Sequence, residues 1–595
     1  MNLSFMARKK SAILITVVIV LILAVACGSS ATATPVATVA TAVPAPATAV
    51  PKAAPVATAT TATTAAPSGG ESASTPLIAP ADIDPDRSRV PEGEMTIGVH
   101  VGISPRWMNP QIMTAGLMSY ELAWKVHDNM FKPMQNNVFT YALAEFYEMS
   151  DDFMTATVRL REGVRFHNGE LITSEDVQFS YENYHGANAT LFQEFTESVE
   201  LIDDRTVQFN FKKPFLDFLL NYGTPASAAG VIIPKAYYLS LGSTDEERDE
   251  AFSNAPIGAG PFKFVEQEAG ISVTFEANTD YWRKVPYVKT LISRGIRDVA
   301  VRAAALKSGE VDFIYFVTGD VLESVINDPN LQVDPNNSGP FWLMFPDQND
   351  PDSPFNDVRV REAVSLAIDR QFLADRETLG LAIPTGNFIP PSWPGVVQRP
   401  PDKVDVARAK ELMAEAGYED GFTIDWFTPF PAVESMSLRV MEQIREIGIE
   451  SKMQVMERPV YQEKLREGFE DDLNRSHKGF PGRQIVMAIS VTPGNAATYI
   501  NIWARCGGAS SLVCDDRIDA LWDQYLLSID LGEREDLMKQ AQNILLDEFM
   551  FVPIYINAFA LGQGSRVAGN PSDYTSVAMN VLLGPNEDLR LKPGQ

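Results

Sequence analysis

The stretch Leu143–Tyr184 reads LAEFYEMSDDFMTATVRLREGVRFHNGELITSEDVQFSYENY. From Thr155 it alternates polar and apolar residues, the period-two pattern of a strand with one buried face. Arg159, Arg161 and Arg165 fall on the outward side of that alternation. Asn168-Gly169 is the pair that a tight turn with positive φ favours. Ser174 then stands as a helix N-cap, followed by Glu175 and Asp176 in the first turn, where acids suit the helix dipole. A strand, a tight turn and a capped helix in direct succession predict a mixed α/β protein, and they are scaffold rather than chemistry.

The same alternation recurs in MTIGVHVG from Met95, TVQFNF from Thr206 and ISVTFEAN from Ile271. Helical periodicity appears in VRAAALKSG from Val301 and in DVRVREAVSLAIDRQFL from Asp357, whose stripe of Val360, Val364, Ala367 and Ile368 is read as one core-facing helix. Further helices are predicted in VDVARAKELMAEAG, SLRVMEQIREIG and REDLMKQAQNILLDEF, the first ended by Gly417. At 595 residues the chain is long enough for two to four lobes.

The N-terminus has its own logic. Arg8, Lys9 and Lys10 precede an apolar run from Ser11 to Ala26, which is too short to favour a stable membrane span and has the form of a signal peptide. Leu23-Ala24-Val25-Ala26-Cys27-Gly28 resembles the lipobox of bacterial lipoproteins, with Ala24 where such boxes prefer Leu; the alternative is an ordinary signal peptide that ends near a cysteine. The resemblance implies that Cys27 carries acyl chains holding the protein at a membrane surface without spanning it. Residues 28–90 open with Ala, Thr, Pro and Val in low-complexity order and are read as a disordered tether, with a reach on the order of 100 Å or more when extended. Cys506 and Cys514 remain, eight apart in a Gly/Ser-rich loop. An even pair in an exported chain reads as a disulfide, contributing about 2–3 kcal/mol by loop entropy. A metal site is the weaker alternative, since four ligands are wanted and no His lies nearby.

The order of these pieces resembles the extracellular solute-binding protein family 5, the oligopeptide, dipeptide and nickel-binding receptors of ABC importers. The Leu143–Tyr184 block carries the strongest likeness. IGAGPFKF from Ile257, NTDYW from Asn278, AALKSGEVDF ending at Phe313 and PFNDVRVREAVSLAIDR from Pro354 follow in family order. AKELMAEAGYEDGF, IREIGIE, LWDQYLLSID and EREDLMKQAQNILLDEFMFVPIY extend the likeness to Ile556. It implies a two-lobe, periplasmic-binding-protein-like clamp of type II. Residues 1–27 are then the signal peptide, 91–340 the first lobe with an inserted α/β subdomain at about 126–252, 341–548 the second lobe, and 549–595 the return to the first lobe. The crossings between lobes are expected near Phe341–Phe345 and Phe549–Tyr555.

Peptide-binding members often hold the ligand's ammonium with an Asp in a Trp-x-x-Asp-like stretch. The corresponding region here, VMAISVTPGNAATYINIW, has neither residue and offers Ser490, Thr492 and Asn495 instead. Such an uncharged polar lining suits a blocked peptide, an amide or a sugar at least as well as a free peptide. By position, Asn109, Trp342, Trp393, Thr492, Asn495 and Trp503 are expected to line the cleft, with aromatic walls and polar groups fixing orientation. His167 belongs to the scaffold turn.

The resemblance implies a small-molecule ligand, peptide-like or sugar-like, ABC permease subunits as partners, a monomer, and an extracytoplasmic place at the membrane. A formal charge of -28 opposes binding to nucleic acid or anionic lipid. The five histidines show no HxH or HExxH spacing, so neither a metal nor another cofactor is expected. A secreted hydrolase is the competing class. No GxSxG elbow occurs, GAGPFK lacks the third glycine of a dinucleotide loop, and Asp151-Asp152 and Asp515-Asp516 suit turns better than a catalytic pair. A surface receptor without a permease would share the fold.

Overall fold

The computed structural model describes residues 78–594, apart from short interruptions that include 224–227, 429–432, 470–476 and 490–494. Cys27 and most of the tether therefore lie outside the described residues.

Two strands of 13 residues each, Gln332–Met344 and Phe551–Gln563, pair antiparallel along their whole length, from Gln332 opposite Gln563 to Met344 opposite Phe551. The register shifts between Asn337 and Pro340 and again between Phe341 and Trp342. Proline has no N–H for the ladder, and Pro335, Pro340 and Pro553 all fall in this pair, so irregularity is to be expected there. The two strands are shared by both halves of an eleven-stranded sheet. On one side, the Gly562 end of the second strand pairs with Phe313–Val317, followed in order by Glu92–Val99, Val288–Gly295, Ser272–Ala277 and Phe262–Glu268. On the other, Phe341–Met344 pair with Gln484–Ile489, followed by Phe422–Thr428 and Ile449–Val455. Phe313–Val317 is buried at every residue, as a strand covered on both faces must be.

A separate four-stranded antiparallel sheet lies in the first half of the chain, in the order Ala144–Met149, Thr155–Leu160, Thr206–Phe211, Thr196–Asp203. In Thr206–Phe211 the residues Val207, Phe209 and Phe211 face inward and their neighbours do not, which realises the alternation seen in the sequence. These side chains build their own apolar cluster with Tyr181, Phe215, Phe218 and Tyr222. Gly258 and Gly260 pack this region onto the end of the Leu117–Val126 helix. A Cβ at Gly258 would meet the Val126 carbonyl oxygen at 2.2 Å, which explains why the GAGPF segment needs glycine.

Several local expectations are corrected. At Asn168-Gly169 only Gly169 has positive φ (89°), while the Asn168 side chain accepts from Glu170 N–H at 3.1 Å. The following helix, Ser174–Glu182, is capped one residue earlier than expected: Thr173 is the N-cap, and its N–H and hydroxyl both donate to Asp176 at 2.9 Å. The periodic run from Asp357 is two helices, Val358–Ala367 and Arg370–Thr378, because Asp369 turns its carboxylate to the Phe372 N–H and caps a new start. The tether, expected to end at 90, is already tied down from Ile78. Ala79 exchanges backbone bonds with Phe139 and Tyr141, and Arg87 and Arg89 donate to the carbonyls of Tyr281, Trp282 and Val285.

Within the Leu117–Val126 helix, Glu121 and Lys125 form an ion pair with both side chains at most 1% exposed. Lys125 also donates to the Glu121 carbonyl at 2.9 Å, and Ser293 reaches the same carboxylate at 3.3 Å. Burial pushes the Lys125 ammonium pKa down against the opposing pull of Glu121. Glu121→Leu should cost about 3–5 kcal/mol in urea unfolding, because it strands a buried cation, whereas Glu121→Leu with Lys125→Met should restore most of that loss. Equal losses in the single and double variants would refute the charge argument.

Candidate ligand-binding cleft

Four of the residues expected in the cleft lie at or around the helix Ala496–Trp503. Asn495 caps it, its side-chain oxygen accepting from Thr498 N–H at 3.0 Å and from the Thr498 hydroxyl at 3.3 Å. Ala496, Ala497, Tyr499 and Ile500 are its buried residues. Trp393 meets the Tyr499 ring edge-on at 5.8 Å, and Trp503, at the helix end, meets Trp342 edge-on at 5.5 Å. Such perpendicular pairs are the favoured geometry for aromatic quadrupoles. Trp342, Trp393, Asn495 and Trp503 are thus gathered around one helix.

Trp342 differs from its expected role. It lies on the first crossing strand, opposite Ala488 and Pro553, and is fully buried in the core of the second half instead of forming an open wall. The indole N–H groups of Trp342 and Trp503 are both buried without an acceptor among the described residues. A buried indole N–H ordinarily finds a partner. Cys506 and Cys514 are joined, and Ser511 within their loop donates to the Trp503 carbonyl at 2.8 Å, tying the loop to the helix end. Thr492, with Ser490, lies outside the described residues.

Asn109 is placed elsewhere, and its expected cleft role is corrected. It is fully buried; its amide donates to Asp249 Oδ1 at 2.9 Å and its side-chain oxygen accepts from Gln111 N–H at 3.0 Å, capping a short turn that starts at Pro110. Asp249 also receives Tyr238 Oη at 2.8 Å and pairs with His185 Nε2 at 3.0 Å. Asn109 is therefore consumed in a structural network. Burial holds His127 and His167 well below the usual range, at about 4 and about 3, so both are uncharged at neutral pH. Their Nε2 atoms bond the carbonyls of Met108 and Gly260. Among the described residues no group of three or more His, Cys, Asp or Glu could hold a metal ion, and no helix is long and apolar enough to cross a membrane.

A narrow recess of about 20 Å³ lies between the Ala496–Trp503 helix and the four-stranded-sheet region. Phe195 and Phe215 line one side and Trp522 the other, with Asp217 and Arg534 at its polar end. No pattern in the sequence announced these residues, because they meet only through contacts some 300 positions apart, such as Tyr525 with Asp217 (308 apart).

The profile described as "Bacterial extracellular solute-binding proteins, family 5 Middle" matches residues 138–507. The chain belongs to this family. It is 28% identical over 444 residues to di/tripeptide-binding protein 1 of Pseudomonas aeruginosa, covering 69% of this chain and 79% of that protein. Heme-binding protein A of Haemophilus influenzae is 27% identical over 445 residues, covering 69% and 78%. The structure of the periplasmic binding protein DppA from Helicobacter pylori in complex with peptide STSA superimposes with a TM-score of 0.70 at 24% identity, covering 84% of this chain and 98% of that one. The oligopeptide-binding protein AppA of Bacillus subtilis, in complex with a nonapeptide, also gives 0.70, at 22% identity over 84% and 99%. The fold of this family 5 protein is thus the two-lobe clamp of the periplasmic binding proteins.

The His185–Asp249 pair makes a pH prediction. The hydrogen bond to Asp249 raises the His185 pKa, so its stabilisation is fully present below the unfolded value of 6.5 and is lost as pH rises through the raised folded value. His185 is 44% exposed, which limits the effect to about 0–1 kcal/mol. Melting temperature followed from about pH 5 to about pH 9 should fall slightly more in the native protein than in His185→Gln over that window. Parallel profiles would refute the assignment.

Proposed function

We propose that this family 5 protein is the extracytoplasmic receptor of an ABC importer, closing its two lobes on a peptide-like solute and presenting it to the permease subunits. The observation that carries this reading is the sheet held in common by both lobes. Two adjacent strands form the connection, so a small change in their irregular middle moves one lobe against the other, and a solute touching both lobes selects the closed arrangement. In this reading residues 91–340 and 549–595 form one jaw and 341–548 the other, and the protein works as a monomer. Cys27 carries the lipid that keeps it at the membrane.

Asn495, Trp393 and Trp503 form the second-lobe wall of the cleft, with Trp342 packed behind Trp503 in the core. The unpartnered indole N–H of Trp503 favours a ligand that offers a carbonyl or hydroxyl oxygen, and backbone bonding to an extended peptide supplies the former. A non-peptide solute is the second reading. It is favoured by the missing Trp-x-x-Asp stretch and by the similarity to a protein named for heme binding.

Thermal unfolding of the mature chain carrying Cys27→Ser, titrated with free peptides, terminally blocked peptides and oligosaccharides, tests the assignment. A ligand selective for the native clamp at a hundredfold excess over Kd adds about 2.7 kcal/mol. Shifts with free or blocked peptides support the peptide reading; shifts with sugars alone transfer the function to another cargo. Labelling cells with radioactive palmitate should mark the native protein and not Cys27→Ala; label retained by the variant would refute lipidation at that residue.

A further inference from the structure

Asp217 lies in the first lobe, just ahead of the short helix Phe218–Tyr222. Its carboxylate accepts hydrogen bonds from two groups of the second lobe, Arg534 Nη2 and Tyr525 Oη, the latter at 2.7 Å. These partners stand on consecutive helices, Asp516–Leu527 and Leu531–Asp547. Arg534 is held ready for the contact: its guanidinium lies 3.6 Å over the Tyr525 ring, and its Nη1 donates to the carbonyls of Tyr525 and Ser528 at 2.7 and 3.3 Å. The pair is shielded, with side-chain exposures of 6% for Arg534 and 22% for Asp217. Beside it, Leu526 packs against the core of the four-stranded-sheet region and against the core of the second lobe at once.

We infer that Asp217, Tyr525 and Arg534 form a latch that holds the clamp closed before any solute arrives. The argument rests on the hinge reading above. Rotation about the crossing strands separates Asp217 from both partners, while Arg534 keeps its backbone carbonyls and its stacking on Tyr525. The charge-assisted bonds thus exist only in the closed arrangement and bias the equilibrium toward it. Hydrogen bonds to charged groups of this strength correspond to roughly a tenfold to hundredfold change in the closed-to-open ratio. The solute then meets a clamp whose resting position is set by the protein, and the latch decides how much of the binding free energy remains for affinity.

The test compares the mature chain with Asp217→Asn, and with Tyr525→Phe as a gentler variant that removes one bond and keeps the packing. Spin labels on Glu200→Cys and Asp536→Cys, one on each lobe in a Cys27→Ser background, report the interlobe distance without solute. The inference expects one short-distance population in the parent. Asp217→Asn should develop a longer-distance population, and Tyr525→Phe a smaller one, with melting still cooperative. A Glu194→Gln control, which breaks the Lys213–Glu194 pair within the first lobe, should leave the distances unchanged. Identical distributions in the parent and Asp217→Asn, or a parent already open, would overturn the latch. The peptide and sugar melting series run on the same samples separates this from the receptor reading. Solute shifts with unchanged distances remove only the latch, whereas longer distances without any solute shift remove only the proposed cargo.

Discussion

The ladder between Gln332–Met344 and Phe551–Gln563 is the constraint on which the rest of the molecule depends. The pair takes strand partners on both sides, so the hydrogen-bonded sheet runs without a break from one half to the other. This makes the junction stiff along the strands and compliant in twist and bend, particularly where proline removes ladder donors at Pro335, Pro340 and Pro553. The Ala496–Trp503 helix and the Asp217 region both line one recess.

Around that hinge the polar groups divide by role. Asn109, Asp249, Tyr238 and His185 satisfy one another, as buried polar groups must, and leave little for a ligand. Trp342 and Trp503 do not, and their indole donors stay unmet among the described residues.

Much of the scaffold was legible because it is local. Thr206–Phe211 alternates as its residues demand, Gly309 and Gly417 end their helices with positive φ, and the Val360 and Val364 stripe is core. Errors arose where one polar side chain outweighed periodicity, as when Asp369 capped a second helix and Thr173 displaced Ser174. The paired strands Gln332–Met344 and Phe551–Gln563 do not read as strand in the sequence, because of their prolines, asparagines and glycines. Asn109 looked like a site residue because a buried Asn before Pro110 and an exposed one are identical in sequence. The Asp217 contact could not be seen at all, for it joins residues more than 300 positions apart.

The early attachment of the chain has a mechanical consequence. Ile78 packs on the four-stranded-sheet core, Ala79 joins its neighbouring strand, and Arg87 and Arg89 bind the loop at Tyr281–Val285. Load on the chain at Ile78 therefore enters at the four-stranded-sheet region and the Tyr281–Val285 loop, and not at the paired strands Gln332–Met344 and Phe551–Gln563.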